Sequence, residues 1–509
     1  MPSDTPSSAA GAQQAGHSLR RRTVRGVRLA AAGYALSQAG NLIAYLVLVR
    51  LLTPRAFGLY AAGSVITGVG GLFAESGMLA ALIKREDRLE EAASTAFASL
   101  SVTGTGLALA SLAASPLVAL AFHNPTAGEV AAALSGWLLV RALTIVPDAL
   151  LQRRLSFARR VVVDPLGVLA YAAAAIPLAA GGAGVWAMVA GAYASILVEA
   201  AFSWVAAGWR PRRSEMSVSL WRELAAFARP LVAGEVLRRL TGIVDTIALG
   251  RARGPSTLGQ YRNGLMLAQQ PGGAFGAVAA YVVLPAFARI SGDARRLDAA
   301  AREAYRIAYA AIVPVAVACV PLGVPVAVTV LGSRWRPAGH VIAGLCGFVL
   351  GGVLLSIGGE LMKAAAALRL TLVVQGMWFA LTAAGVTVAA FAAGAVGVAV
   401  AVSAGACLTA AYATAMLGRA LGAGAGALFG GLWAPLAASG AMLAALLPFA
   451  SAVGLPRHGE AVRVLLLACE IVLGASVYGA LLLALDRRLR ALAARGARSR
   501  LRGRRRAGA

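Results

Sequence analysis

Long apolar stretches separated by short polar breaks dominate the pattern of the chain. Most of them are about 20 residues long, which is what a helix needs to cross a hydrocarbon core about 30 Å thick. This length favours helices over barrel strands, which alternate with period two over about ten residues. The pattern predicts fourteen spans, at residues 28–49, 57–83, 95–121, 128–149, 163–181, 184–206, 226–249, 261–288, 305–331, 338–360, 370–391, 396–417, 429–450 and 462–485.

The Lys and Arg residues are divided unequally between the two sides of these spans. With the N-terminus assigned to the cytoplasm, the inner segments hold 34 of them and the outer loops hold 8. Cytoplasmic loops of membrane proteins are enriched in basic residues. We therefore expect a multi-pass protein of the cytoplasmic membrane with both termini in the cytoplasm.

The composition also indicates a membrane protein. The chain is 59% hydrophobic and 13% charged, whereas soluble chains are about 45–50% apolar and about 25% charged. A formal net charge of +26 would suggest nucleic-acid binding in a soluble protein. Here the basic residues lie between apolar stretches, so topology explains them and no nucleic-acid partner is expected. The arginine-rich C-terminus is expected to lie on lipid headgroups, which makes membrane lipids a partner.

One short motif occurs twice at a constant offset of 201 residues, as "RLLTPRAFGLYAAG" and "RARGPSTLGQYRNG". Both copies lie in an outer turn, where Pro begins the turn and Tyr is expected to anchor at the headgroups. Six spans separate the copies, so the two halves should run in the same direction and form two lobes. The shared residues are Arg50/Arg251, Pro54/Pro255, Gly58/Gly259, Tyr60/Tyr261 and Gly63/Gly264.

The repeat sets the predicted organisation of the chain. We expect an all-α polytopic membrane protein with about 14 transmembrane helices, in which two six-helix lobes form a pseudo-twofold parallel repeat and two C-terminal helices follow. The predicted parts are a disordered cytoplasmic tail at 1–27, an N-lobe at 28–222, a C-lobe at 223–420, two extra helices at 421–485 and a polybasic cytoplasmic tail at 486–509.

The seventh span, "RPLVAGEVLRRLTGIVDTIALG", carries four ionisable residues: Glu235, Arg238, Arg239 and Asp245. An ionisable residue at mid-membrane costs about 2.5–3.5 kcal/mol on insertion scales, so each needs a partner or a function. In one interpretation they face a water-filled cavity, where the arginines bind an anionic headgroup and the carboxylates serve a coupling cation or proton. In the other, they pair with each other and fix helix packing.

Further charged residues occur inside the predicted spans. Arg141, seven residues before Asp148, is a second candidate for a cavity arginine, with snorkelling to the inner surface as the alternative. For four glutamates, a structural hydrogen bond between helices is at least as plausible as a role in transport. These are Glu75, Glu199, Glu360 and Glu470.

The sequence offers little for catalysis. The four histidines are scattered over the N-terminal tail and external turns, no loop exceeds roughly twenty residues, and no Walker A motif occurs. The four cysteines lie inside apolar stretches without the spacing of a metal site. We therefore expect no enzyme activity, no catalytic residues, no metal site and no cofactor, with a Na⁺ or H⁺ gradient as the candidate energy source.

Three stretches, at residues 48–87, 244–293 and 330–339, resemble bacterial oligosaccharide flippases of the Wzx type. These flippases belong to the multidrug/oligosaccharidyl-lipid/polysaccharide exporter superfamily. The resemblance implies that Arg238, Arg239 and, less directly, Arg141 bind a diphosphate. It also implies coupling-ion roles for Glu235 and Asp245. Related lipid-diphosphate flippases place arginines in the first span, whereas this first span has no mid-membrane basic residue.

The resemblance implies a transporter that moves undecaprenyl-diphosphate-linked oligosaccharide across the cytoplasmic membrane by alternating access, for surface polysaccharide biosynthesis. A polysaccharide polymerase machinery would be its partner. One alternative is a cation-coupled exporter of small amphiphiles or drugs from the same superfamily. A polysaccharide polymerase or ligase is disfavoured by the short external loops, and a scaffold that binds substrate without moving it is a further alternative.

Overall fold

The computed structural model describes most of the chain. The predicted terminal tails lie outside the described residues, apart from Asp486 and Arg490. Within the helices, the side chains of some residues are also not described, including those of 227–238 and 274–290. The described residues are 33, 35–75, 82, 87–153, 157–212, 216–290, 294–364, 368–422, 424–453, 459–486 and 490.

The described residues form helices and no strand, as the apolar pattern predicts. Short 3₁₀ turns lie at Ser333–Trp335 and Ala427–Phe429. The helices are α1 (Ala35–Leu51), α2 (Pro54–Glu75), α3 (Leu89–Ala121), α4 (Pro125–Arg153), α5 (Phe157–Ala180), α6 (Val185–Ala207), α7 (Val218–Ile290), α8 (Ala294–Val330), α9 (Arg336–Gly344), α10 (Cys346–Ala364), α11 (Leu368–Ala392), α12 (Gly394–Ala420), α13 (Trp433–Val453) and α14 (Glu460–Leu485).

The predicted multi-pass helical architecture is confirmed, because each of the fourteen predicted stretches overlaps a described helix. Among the described residues, eight helices are long and apolar enough to cross a membrane, or nine if α9 and α10, which are bent by 52°, form one span. The apolar parts of α1 and α13 are shorter. The count of fourteen spans stays a prediction.

The seventh and eighth predicted spans belong to one helical element, α7, which bends at Gly254. The backbone angles of Gly254 are φ 79° and ψ 176°, a conformation that is essentially restricted to glycine. Next to the bend, the Arg253 guanidinium donates hydrogen bonds to the carbonyls of Ala390 and Phe391 at the end of α11, at 3.2 and 2.7 Å. The turn at the second motif copy is therefore a bend within one helix, held in place by these hydrogen bonds.

The chain divides into two compact units, which we call unit 1 (Met1–Arg239) and unit 2 (Leu240–Ala509). The division falls inside α7, and the predicted boundary at 222/223 lies earlier in the same helix. Unit 2 contains α13 and α14, which pack on each other and on α8. The predicted extra helices thus have their described packing partners in the second unit.

The repeated motif has the same packing role in both units. A side chain at Gly63 would place its Cβ 2.4 Å from Val130 Cγ1 on α4. A side chain at Gly264 would place its Cβ 2.9 Å from Val341 Cγ1 on α9. Both distances are shorter than carbon atoms allow, so each glycine is required for a close helix crossing.

A second repeated stretch, separate from the first motif, supplies the other side of these crossings. "AGEVAAALSG" begins at Ala127 and "AGHVIAGLCG" begins at Ala338, so Val130 and Val341 occupy the same position in each. In unit 1 the Tyr193 hydroxyl of α6 donates to the Ala133 carbonyl of α4.

The hydrogen bond of Tyr193 has a counterpart in unit 2. There the Ser403 hydroxyl of α12 donates to the Gly344 carbonyl of α9 at 2.7 Å. Ala133 and Gly344 occupy the same position of the second repeat. One close helix crossing and one hydrogen bond of unit 1 therefore have counterparts in unit 2.

Alanine at Gly351 is expected to destabilise unit 2, whereas alanine at the adjacent Gly352 is not. A Cβ at Gly351 would lie 2.7 Å from the backbone of Ala406 on α12, while a Cβ at Gly352 meets nothing within 4 Å. Overpacking costs about 1–3 kcal/mol, and alanine in an open helical position stabilises by up to about 1 kcal/mol. Thermal unfolding in detergent measures the stability of the two variants. Equal unfolding temperatures of Gly351→Ala and Gly352→Ala would contradict the described packing of α10 on α12.

Candidate functional site

A polar cavity of about 320 Å³ lies between three helices of unit 1. We call it the unit 1 cavity. Its lining is rich in amide, hydroxyl and carboxylate groups, although the helices that form it are mostly apolar. The lining residues are Ser37, Gln38 and Asn41 of α1, Asp164, Val168 and Tyr171 of α5, and Ser195 and Glu199 of α6.

Glycines bring these helices close enough to shape the cavity. At Gly167 of α5, a Cβ would lie 2.3 Å from Glu199 Oε1, so a larger residue there would displace this carboxylate. At Gly40 of α1, a Cβ would lie 3.0 Å from Val168 Cγ1. The side chain of Glu199 therefore lies directly against the backbone of α5, beside the contact of α1 with α5.

The electrostatics of the cavity centre on Glu199. The Ser195 hydroxyl donates a hydrogen bond of 2.8 Å to Glu199 Oε1. Arg141 of α4 attracts the Glu199 carboxylate, while Asp148 of α4 and Asp164 of α5 repel it. Among the described residues, the Glu199 carboxylate is thus influenced by one guanidinium and by two other carboxylates.

Several lining side chains are open to the space outside the cavity. Gln38, Asn41 and Asp164 are exposed, although they belong to helices that are predicted to cross the membrane. Polar side chains on such helices almost always face the protein interior or water, because facing lipid costs several kcal/mol. We conclude that the unit 1 cavity opens to a water-accessible space.

The structure brings one predicted site residue, Arg141, next to this cavity through its interaction with Glu199. Arg239 lies elsewhere in unit 1, where its Nη1 donates to the Gly68 carbonyl of α2 at 3.4 Å. Glu235 and Arg238 belong to α7, but their side chains lie outside the described part of the chain. The binding and coupling roles of these residues stay predictions.

Asp245, the second predicted coupling residue, lies in unit 2 and is 5% exposed. Its Oδ2 accepts a hydrogen bond of 2.8 Å from the Tyr261 hydroxyl, and its Oδ1 accepts one from the Thr246 amide. Asp245 and Tyr261 lie on opposite sides of the bend at Gly254. Asp245 therefore ties the two arms of α7 together, and its coupling role stays a prediction.

The expectation that Tyr261 anchors at lipid headgroups is wrong. The side chain is fully buried at 0% exposure, because its hydroxyl binds Asp245 inside unit 2. Tyr60, its counterpart in the first motif copy, has Ala44 at the position that corresponds to Asp245. The tie between tyrosine and aspartate thus belongs to the second copy of the motif.

Replacing Tyr261 by Phe is expected to lower the unfolding temperature, because it removes a donor from a buried carboxylate, at a cost of about 1–3 kcal/mol. Tyr60→Phe is the matched control. Since no carboxylate occupies position 44, we expect Tyr60→Phe to change stability by less than about 0.5 kcal/mol. Thermal unfolding of both variants in detergent checks this, and a control that loses as much stability as Tyr261→Phe would contradict the role of the hydrogen bond.

Sequence reasoning missed most of the cavity. It flagged charged residues inside spans, which found Arg141 and Glu199 but passed over the uncharged amides of Gln38 and Asn41. It also missed Asp164, which lies at the very start of the predicted span 163–181, directly after an arginine-rich stretch of the sequence. Three polar residues within five positions of an apolar run, Ser37, Gln38 and Asn41, are the signal that could have identified α1.

In the part of the chain that the structure describes, no three His, Cys, Asp or Glu residues lie close enough together to hold a metal ion. The oxygen atoms of the unit 1 cavity instead line an open space. Such a lining suits a hydrated or hydroxyl-rich ligand better than a bare ion.

The crossing helices, the repeated packing and the open polar cavity define a multi-pass helical membrane protein of the kind that transporters form. A family model described as "Polysaccharide biosynthesis protein" matches residues 47–340, which is more than half of the chain. The chain belongs to this family. This family and fold confirm the predicted resemblance to Wzx-type flippases of the multidrug/oligosaccharidyl-lipid/polysaccharide exporter superfamily.

A relative of known role supports the family. The chain is 25% identical, over 307 residues, to the succinoglycan biosynthesis transport protein ExoT of Rhizobium meliloti (strain 1021). The match covers 58% of this chain and 60% of that protein.

Solved structures support the fold. The lipid II flippase MurJ, in an inward closed conformation, has a TM-score of 0.74 at 13% identity, over 91% of this chain and 99% of that chain. An inward-facing multidrug resistance MATE family transporter of the MOP superfamily has a TM-score of 0.55 at 18% identity, over 77% of this chain and 94% of that one. At these identities the likeness concerns the fold alone.

Proposed function

We propose that the protein is a flippase that moves polyprenyl-diphosphate-linked oligosaccharide from the inner to the outer leaflet of the cytoplasmic membrane, for the synthesis of a surface polysaccharide. Undecaprenyl diphosphate is the proposed carrier. The observation that carries the proposal is a water-accessible polar cavity in helices of a polysaccharide biosynthesis family member. The name of its relative, a succinoglycan biosynthesis transport protein, supports the same function.

Physical chemistry explains why such a protein is needed. A sugar diphosphate is charged and carries many hydroxyl groups, and moving it unassisted through hydrocarbon costs far more than thermal energy supplies. Polar side chains inside the membrane replace part of its hydration while the polyprenyl tail stays in lipid. No covalent bond of the substrate changes, so the function needs no catalytic group and the protein acts as a transporter, not an enzyme.

The remaining roles are assigned from charge. Arg238 and Arg239 bind the diphosphate, because guanidinium groups match phosphate oxygens in a bidentate manner. Alternating access moves the headgroup, and a Na⁺ or H⁺ gradient, acting through Glu235 or Asp245, supplies the energy. Both termini lie in the cytoplasm, and a polysaccharide polymerase machinery receives the product.

An exporter of cationic amphiphiles is the second candidate, and the carboxylates that line the unit 1 cavity, Asp164 and Glu199, favour it. Attraction between carboxylates and a cationic drug would explain such a cavity without any sugar. Efflux of a fluorescent lipophilic cation from proteoliposomes tests this function. Under our proposal, the rate of this efflux is the same with and without the protein.

The flippase function is tested in proteoliposomes that contain a fluorescent polyprenyl-diphosphate sugar. The fraction of headgroups accessible to an external quencher is followed over time, with and without imposed Na⁺ and H⁺ gradients. The protein should increase the accessible fraction beyond the outer-leaflet share found in protein-free liposomes. Identical accessibility in the two preparations would refute the proposed function.

A further inference from the structure

Two side-chain amides of the unit 1 cavity are available to bind a ligand. Gln38 and Asn41 line the cavity and are exposed. Within the described part of the chain, no hydrogen bond engages either side chain. The two residues lie three positions apart on α1, so they share a face of the helix and are about 4.5 Å apart along its axis. An amide in a membrane-spanning helix needs water or a polar ligand when the protein supplies no hydrogen bond.

The serine hydroxyl groups of the cavity are, by contrast, already used within the protein. The Ser37 hydroxyl donates to the backbone carbonyl four residues earlier at 3.0 Å, and the Ser195 hydroxyl donates to Glu199 at 2.8 Å. The Tyr171 ring lies against α6, where a Cβ at Gly191 would be 3.0 Å from Cδ2 of the ring. The cavity thus offers a ligand two carboxamides on one side and an aromatic ring on another.

The repeat shows that the second copy of this helix carries different chemistry at the same position. The offset of 201 residues also holds before the motif, because Leu48 of α1 and Leu249 of α7 are both buried, at 2% and 0% exposure. In this register Gln38 corresponds to Arg239, one of the two arginines assigned to the diphosphate. A guanidinium supplies the positive charge that suits phosphate, whereas a carboxamide is uncharged and both donates and accepts hydrogen bonds. The first copy therefore suits uncharged hydroxyl groups.

The size of the cavity suits one sugar better than a whole oligosaccharide. Its volume of about 320 Å³ is at the lower end of the range of roughly 300–1,000 Å³ for small-molecule sites. Each hydroxyl group of a sugar donates and accepts hydrogen bonds, and a carboxamide does both as well. Two amides one helical turn apart can therefore satisfy two adjacent hydroxyl groups, while the Tyr171 ring offers apolar surface to the carbon atoms of the sugar.

We propose that the unit 1 cavity binds one sugar of the lipid-linked oligosaccharide through two adjacent hydroxyl groups, which Gln38 and Asn41 hold. This inference rests on the proposed flippase function and adds to it a sugar subsite on α1. The subsite imposes a chemical requirement on the substrate. A sugar that lacks these hydroxyl groups loses the hydrogen bonds to the two amides, so its lipid moves more slowly.

Lipids that lack particular hydroxyl groups test this requirement. The parent lipid is a fluorescent polyprenyl-diphosphate disaccharide. Each of two analogues has two adjacent hydroxyl groups of one of its sugars replaced by hydrogen. Each lipid is reconstituted with the full-length protein in liposomes, and its transport rate is compared with that of the parent lipid. We expect at least one analogue to move roughly tenfold more slowly, because two hydrogen bonds between uncharged groups are lost.

Removing the two amides should abolish this preference. Gln38→Met and Asn41→Leu keep the approximate size of each side chain, and because both positions are exposed, the double variant should fold, which its unfolding temperature checks. It should move the parent lipid as slowly as the slower analogue, whose own rate should change by less than about twofold, as expected when the shared interaction is already absent. Ile43→Ala is the matched control. This position of α1 is 62% exposed and lies outside the cavity lining, so the wild-type ratio of rates should be kept.

Three other outcomes overturn the proposal in distinguishable ways. If the wild-type protein moves the parent lipid and both analogues equally, or if the double variant slows all three by the same factor, the amides do not hold sugar hydroxyl groups although the flippase function stands. If the double variant keeps the wild-type ratio and loses the dependence of transport on a Na⁺ or H⁺ gradient, the cavity serves a coupling ion instead. If the wild-type protein moves none of the lipids, the proposed function itself fails.

Discussion

Alanine at both Arg238 and Arg239 is expected to lower the flipping rate at least about a hundredfold. Each charged hydrogen bond contributes about 1.5–3 kcal/mol, and losing two of them corresponds to a factor of about 10² or more. The physical reason is that a diphosphate brought into the membrane needs cations to replace its hydration. The proteoliposome assay measures the rate, and the unfolding temperature of the variant shows whether it is folded.

The alternative for these arginines is a role in packing, and Arg239 supplies a concrete version of it. Its guanidinium donates to the Gly68 carbonyl of α2, which ties α7 to α2 within unit 1. If packing is the whole role, the alanine variant unfolds at a lower temperature, while the protein that remains folded transports at the wild-type rate. That combination would remove both residues from the proposed diphosphate site.

Two further variants distinguish diphosphate binding from packing: lysine at both positions, and alanine at an arginine elsewhere on α7. Lysine at both positions keeps the charge but loses the planar fork that fits phosphate, so the rate should fall between those of the wild-type and alanine proteins. Arg251, which is exposed beside the bend of α7, is the matched control. Arg251→Ala should leave the rate within about a factor of two, the scatter expected for surface substitutions.

The fold could be predicted from the sequence because its signals are local. The apolar stretches predicted the positions of the helices, and the motif that begins at Arg50 and again at Arg251 revealed the repeat. The bend at Gly254 was harder to predict, because the same residues could form either a loop between two helices or a bend within one helix. What distinguishes them is the hydrogen bond from Arg253 to the carbonyl of Phe391, which is distant in the sequence.

The candidate site was less predictable, because it depends on which residues of neighbouring helices face each other. Glu199 looked like a structural carboxylate, and only the packing of α6 against Gly167 of α5 and against α4 shows which groups surround it. Asn41 carries no charge, so a search for charged residues in spans could not find it. Asp245 stood out in the sequence, but its partner Tyr261 lies beyond the bend.

Removing the side chain of Arg306 is expected to lower the free energy that holds the last two helices in place by about 3–5 kcal/mol, the cost of breaking a buried ion pair. Arg306 of α8 binds Asp486, directly after α14, in a bidentate pair: Nε donates to Oδ2 at 2.9 Å and Nη2 donates to Oδ1. The Asp486 side chain is 4% exposed and that of Arg306 is 20% exposed.

The surroundings of this pair explain why it should matter. Gly431, just before α13, packs on the Arg306 side chain, where a Cβ would lie 3.1 Å from Cγ. One turn further along α8, the Tyr478 hydroxyl of α14 donates to the Ala310 carbonyl at 2.6 Å. The ion pair is thus part of a row of polar contacts that holds α14 on α8, and Arg306→Gln breaks the pair within this polar seam.

Thermal unfolding and limited proteolysis in detergent measure the effect, and Arg302 of the same helix provides the control. Arg302 pairs with Asp298 four residues earlier at 3.0 Å, and the two side chains are 46% and 23% exposed. Exposed helical pairs of this kind contribute about 0.3–0.5 kcal/mol, so Arg302→Gln should change little. The double variant Arg306→Met/Asp486→Leu should regain most of the stability, because it leaves no buried charge. Equal, small losses in Arg306→Gln and Arg302→Gln would show that the seam does not depend on the ion pair.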